Sequence, residues 1–109
     1  MKIFPILVAA GGLMAASIGN AAPDADAAQA LLKKSDCLKC HAIDKKKDGP
    51  PFKETAKKYK GKADAEDKVT KHITTKPMIE IDGKKEEHKA LKSTDKAEIS
   101  NVVQWILSL

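Results

Sequence analysis

The sequence predicts an all-α domain of four short helices, and three observations point to it. Apolar residues recur at three- and four-residue spacing in several short runs, most clearly at Ile99, Val102, Val103 and Ile106. Most of these runs open on an aspartate or threonine suited to capping a helix, and they stop at a glycine or proline. The chain has 109 residues and 4% aromatic residues, so the helices are short and the protein-only core is modest.

The elements follow in order. Asp24 or Asp26 caps a first helix that runs through Ala28, Leu31 and Leu32 to about residue 34 and delivers the chain to a pair of cysteines. Asp48-Gly49-Pro50-Pro51 forces a turn, after which residues 52–60 read as a short helix stopped by Gly61. Asp64 starts the next helix, with Ala65, Val69 and Ile73 on one face, and Pro77 ends it. Met78-Ile79-Glu80-Ile81 alternates like a strand and Asp82-Gly83 is a turn signal, so residues 76–90 are expected to form a small hairpin or folded loop. Thr94 or Asp95 caps the last helix, and Glu98 is placed to complete a capping box with Asp95.

The first residues belong to targeting. Lys2 supplies a positive start, residues 3–18 are almost wholly apolar, and Gly19-Asn20-Ala21 offers small residues to a signal peptidase. The expected division is a signal peptide over residues 1–21 and one domain over residues 22–109. An uncleaved membrane anchor is the competing reading, but the apolar run is short for a span and is broken by Pro5 and the Gly11-Gly12 pair.

Between the first and second helices stands Cys37-Leu38-Lys39-Cys40-His41. Two thiols at this spacing can each add across one vinyl group of a single haem, and the adjacent histidine can reach the iron from one side. The competing uses of a CxxC pair are weaker here. A thioredoxin-like redox pair needs a βαβ setting, whereas helical periodicity lies on both sides. A zinc site needs two further ligands, but the chain has only these two cysteines, and His72 and His88 are apart in sequence. A disulfide leaves His41 without a role. The motif therefore reads as the attachment site of one haem c with its iron. A covalent macrocycle also gives a small chain the apolar centre it otherwise lacks.

The net charge is +5, one unit less once Lys2 leaves with the signal, and all 20 basic residues are lysines. Nucleic-acid binding draws on arginine forks and stacking aromatics, and neither pattern is present, so that class is excluded. Lysines near a haem edge, among them Lys39, Lys45, Lys46, Lys47 and Lys53, suit the steering of redox partners with acidic docking surfaces.

The sequence from about residue 26 to the C-terminus resembles the small bacterial class I cytochromes c, monohaem and periplasmic. The resemblance rests on CLKCH, on DGPPFKETAKKYKGKAD and on the terminal VVQWILSL. It implies the cytochrome c fold, in which the first and last helices cross near the haem, here bringing Leu32 against Val102, Val103 and Ile106. It implies that the Pro50 carbonyl meets the free nitrogen of His41, and that His72 lies near a haem propionate. Cofactor-binding residues are thus Cys37, Cys40, His41, Pro50 and His72. Export to the periplasm, where c-type haem is attached in bacteria, follows from the same resemblance together with the signal. No stable membrane insertion is expected after cleavage.

The sixth iron ligand is where this chain departs from the resemblance. Relatives use a methionine in the loop shortly before the last helix, and that place is taken here by His88. Met78, the single methionine after the signal, lies well upstream and falls in the strand-like stretch. The expected iron ligands are His41 and His88, a bis-histidine variant, with Met78 as the alternative sixth ligand. The function expected is one-electron carriage between redox proteins, without enzyme activity, since no catalytic constellation accompanies the haem. A small-ligand-binding haem protein with a displaceable sixth ligand is the alternative.

Overall fold

Asp24 and Asn101 show how the chain is closed. The Asp24 carboxylate accepts from the Ala27 amide at 3.0 Å and so starts α1 (Ala25–Lys34). The Asp24 main chain meanwhile exchanges two hydrogen bonds of 2.8 and 2.9 Å with the Asn101 side chain, in α4 (Lys96–Leu107). The beginning and end of the domain are thereby stapled where the two helices cross. This computed structural model describes residues 22–109, and the signal peptide read over residues 1–21 lies outside them.

After α1 come a single 3₁₀ turn at Cys37–Lys39, then α2 (Phe52–Tyr59), α3 (Ala65–Thr74), β1 (Met78–Ile81), β2 (Lys84–Glu87) and α4. The four expected helices are present, with α2 ending one residue early. The departure from an all-α fold is the two-stranded antiparallel sheet, which falls where the alternation of Met78 to Ile81 suggested a hairpin. Asp82 and Gly83 turn it with φ of 50° and 79°, the pair of left-handed residues that a two-residue turn between twisted strands requires.

The core joins α1, α2 and α4. Ala28, Leu32, Phe52, Leu91, Val102, Trp105 and Ile106 form one buried cluster, with Cys37, Leu38, Ile43 and Ile73 packed at its margin. Removing each large side chain of this set from water contributes about 1.5–3 kcal/mol. Val103 is buried as well but stands outside the cluster that Leu32 joins, a correction to the expected grouping that follows from its rotation by one residue about the α4 axis. The capping box also differs. Asp95 accepts from the amides of Ala97 and Glu98 as expected, but the Glu98 carboxylate takes the Ser93 hydroxyl at 2.6 Å, and that hydroxyl receives the Asp95 amide. Ser93 relays the contact that the box would make directly.

Candidate haem site

Cys37 and Cys40 lie on the one 3₁₀ turn and its cap, half-buried and unpaired, and Cys37 packs at the margin of the core. Burial pushes the Cys37 thiol above its ordinary value, helped by the Asp36 carboxylate beside it. Asp36 turns the chain into the motif with φ of 62°, a conformation aspartate tolerates better than most residues. The turn is held from the following loop: the Lys47 ammonium donates to the Leu38 carbonyl at 2.7 Å, and the Gly49 amide donates to the Cys40 carbonyl at 2.7 Å.

The His41 ring is fixed on two sides. Its Nδ1 lies 2.8 Å from the Pro50 carbonyl, and since that oxygen can only accept, Nδ1 carries the proton and Nε2 keeps a lone pair for a metal. The Phe52 ring stacks on it with centroids 5.2 Å apart and planes 18° from parallel, and Trp105 meets Phe52 edge-on at 6.1 Å. Gly49 is required for this approach, because a Cβ at that position would collide with the His41 ring. The Asp48-Gly49-Pro50 turn thus does more than reverse the chain; it is the seat of the histidine.

His88 follows β2 and reaches the same region. Its ring centroid is 6.1 Å from that of His41, with planes 53° apart. Its Nδ1 is buried without a hydrogen-bond partner. His72, on α3, stands 4.4 Å from His88, and their planes are tilted by 57°. Partial desolvation of the rings lowers the affinity of both His72 and His88 for protons; His88 is disfavoured further as a cation by His72 and His41, and His72 by His41 and Lys58. Met78 is elsewhere: it is 64% exposed on β1. The structure therefore brings together Cys37, Cys40, His41, Pro50, His88 and His72, and leaves Met78 on the surface.

Three residues of this region had no signal in the sequence. Ser35 is 1% exposed, and its hydroxyl accepts the Lys92 amide at 2.9 Å. Asp36 pairs with Lys89 at 3.8 Å as well as with Lys39 at 3.5 Å. Lys47 looks in sequence like one more solvated charge in a lysine run. Their roles appear only when segments distant in the chain, or the folded loop, are brought together.

The residues fit a covalent haem. Two thiols on one turn, a histidine with its lone pair preserved by a carbonyl, a second histidine with an unpartnered buried nitrogen, and a half-buried apolar margin at Leu38, Ile43 and Ile73 make up the donor set and wall of such a group. When bound, the haem supplies a one-electron redox centre.

A helical wrapper around a CxxCH turn defines a c-type cytochrome domain. The sequence profile of the Cytochrome c family matches residues 25–109. Cytochrome c-552 of Hydrogenobacter thermophilus is 33% identical over 117 aligned residues, covering 100% of this chain and 99% of that protein. Cytochrome c-551 of Pseudomonas aeruginosa is 37% identical over 67 residues, 62% of this chain and 60% of its own. The crystal structure of the class 1 cytochrome MtoD from Sideroxydans lithotrophicus superposes with a TM-score of 0.76 at 47% identity, over 80% of this chain and 97% of that one. Nitrosomonas europaea cytochrome c552 gives a TM-score of 0.58 at 27% identity, over 74% and 98%. The chain belongs to the cytochrome c family: it is a small monohaem class I c-type cytochrome that binds one covalent haem c with its iron, and its general role is electron carriage.

Proposed function

We propose that this protein is a periplasmic one-electron carrier whose iron is held by His41 and His88, and which exchanges electrons with redox partners through acidic docking surfaces. The observation that carries the reading is the His41–His88 pair. A metal–imidazole bond of about 2 Å on each side sets two facing rings roughly 6 Å apart, and the observed separation is 6.1 Å. Among the described residues, His88 Nδ1 is the one buried side-chain polar atom without a partner, so no hydrogen bond to the polypeptide claims the ring. The exposure of Met78 argues against it as the sixth ligand.

In this reading Cys37 and Cys40 form the thioethers, Pro50 orients His41, and His72 lies on the pocket rim within reach of a propionate. Two protein ligands leave no open coordination position, which suits electron transfer and disfavours both enzyme chemistry and gas binding. Periplasmic location rests on the N-terminal export pattern; among the described residues, no helix is long and apolar enough to cross a membrane. Lys39, Lys45, Lys46, Lys47 and Lys53 are all exposed, or on exposed loops, around the cysteine turn and are read as the steering surface.

Optical spectra and voltammetry of the purified holoprotein test this. Histidine favours ferric iron more than a thioether does, so the reduction potential is expected below that of a histidine/methionine carrier, and the far-red band of methionine-ligated ferric haem should be absent. His88→Ala should admit carbon monoxide to the ferrous protein, while Met78→Leu should leave the spectrum unchanged. A far-red band in the parent, or opening of the site by Met78→Leu, overturns the ligand assignment. The partner claim is separate: the second-order rate with an acidic redox partner should fall as salt rises, because charges are screened beyond about 10 Å at 0.1 M. A flat rate would leave the lysines as solubilising charge.

A further inference from the structure

We propose that His72 is the positioning residue for the sixth iron ligand, setting the plane of the His88 ring by packing against it; the proposal rests on His88 being that ligand.

The contrast with His41 motivates it. The torsion that orients an imidazole plane is broad and is not dictated by the backbone, so a ring needs a hydrogen bond or a packed neighbour to hold one orientation. His41 has both, from the Pro50 carbonyl and from Phe52. His88 has a well-placed main chain, because its amide donates to the Pro77 carbonyl at 2.8 Å and the Leu91 amide donates to the Ile73 carbonyl at 2.9 Å. Those bonds register the loop on the end of α3 but say nothing about the ring. The His88 Nδ1 has no partner to fix it.

The nearest ring is that of His72, at 4.4 Å, close to the short end of the range for aromatic pairs. His72 is carried by α3, within one turn of the Ile73 carbonyl and before Pro77, the two points to which the ligand loop is tied. Loop and ring wall therefore share one rigid support. His72 is itself exposed, so its contact with His88 is not a by-product of core filling. The resulting tilt of 53° between His41 and His88 is the quantity that His72 controls. That angle governs how the two axial imidazoles split the iron orbitals, and the same wall resists the swing of His88 that would let another ligand enter.

The test uses the ferric holoprotein as parent, His72→Ala, His72→Phe and His88→Ala, with low-temperature electron paramagnetic resonance and the rate of cyanide binding as readouts. His72→Ala should remain low-spin but shift the largest g value and bind cyanide about 10-fold faster or more, the scale on which loss of an outer-shell partner is felt at metal sites. His72→Phe, which restores a flat ring without nitrogens, should return both towards the parent. Parent-like g values and cyanide rate in His72→Ala would overturn the proposal while leaving the ligand assignment standing, provided His88→Ala opens the site. Failure of phenylalanine to restore them would also overturn it, by showing that a nitrogen and not the ring's bulk matters. A His88→Ala protein that stays low-spin would overturn the ligand assignment itself, and a His72→Ala protein that turns high-spin while His88→Ala does not would place His72 on the iron and overturn both.

Discussion

His41 and His88 approach one pocket from two segments that are built on different principles. His41 is held by its own neighbourhood: Pro50, Gly49 and Phe52 lie within a dozen residues, and the Phe52 and Lys53 amides bond back to Ala42 and Ile43 at 2.9 Å each. His88 has one tether of similar range, its amide to the Pro77 carbonyl at 2.8 Å, and is otherwise held by residues farther away in sequence, through Ser35 to Lys92, Asp36 to Lys89, Ile73 to Leu91 and His72 to His88 itself. With both histidines on the iron, as proposed, the locally built ligand is in place as soon as its loop forms. A ligand built by distant contacts arrives only when the helices have docked, and it depends on each tether. The proximal side is therefore expected to be the firmer one, and the distal side the one that opens first under stress.

The largest effect comes from cutting the attachment that both sides share. The Cys37→Ala, Cys40→Ala double variant should retain no haem after acid–organic extraction, since no thioether can form, and parent-like haem content in it would refute covalent attachment at this turn.

Gly49→Ala attacks the proximal side alone. The added methyl collides with the His41 ring, and overpacking of this kind costs about 1–3 kcal/mol. Denaturant unfolding of the holoprotein should show that loss together with a changed potential, because the bond from His41 to Pro50 is disturbed. Unchanged stability and potential would mean that His41 is less tightly seated than its geometry indicates.

Ser35→Ala attacks the distal side alone. It removes the acceptor of the Lys92 amide in a buried place, and an unsatisfied group of this sort costs about 1–3 kcal/mol. Cyanide entry to the ferric protein should accelerate in this variant and not in Gly49→Ala. Equal acceleration in both would erase the distinction between a local and a distant ligand.

The smallest effect concerns acid. Lys39, and after it Lys89, hold the Asp36 carboxyl below its ordinary range. A carboxylate whose native pKa is depressed stabilises the fold above its unfolded-state pKa, and the contribution disappears as pH falls through the lower native value. Asp36→Asn keeps a residue that tolerates the left-handed backbone at this position, so it isolates the charge. The variant should unfold at slightly lower denaturant than the parent near neutrality, and the difference should vanish in acid. A difference of the same size at both ends of the pH range would assign the effect to something other than the ion pairs.

The sequence by itself determined what depends on neighbours along the chain. CLKCH specifies attachment because both thiols and the histidine are needed within one turn. The helices follow from their own periodicity and caps, and Asp82-Gly83 from the φ that a tight hairpin demands. Even the hydrogen bond from His41 to Pro50 belongs to this class, since the family resemblance carries it on residues nine apart. Tertiary structure alone decided how His88 is approached. That Ser35 is buried under Lys92, that Val103 leaves the Leu32 cluster and that His72 stands against His88 are consequences of which surfaces meet when α1, α3 and α4 pack. A contact between residues brought together by helix docking leaves no periodic trace along the chain, because either partner alone looks like any exposed lysine, serine or histidine.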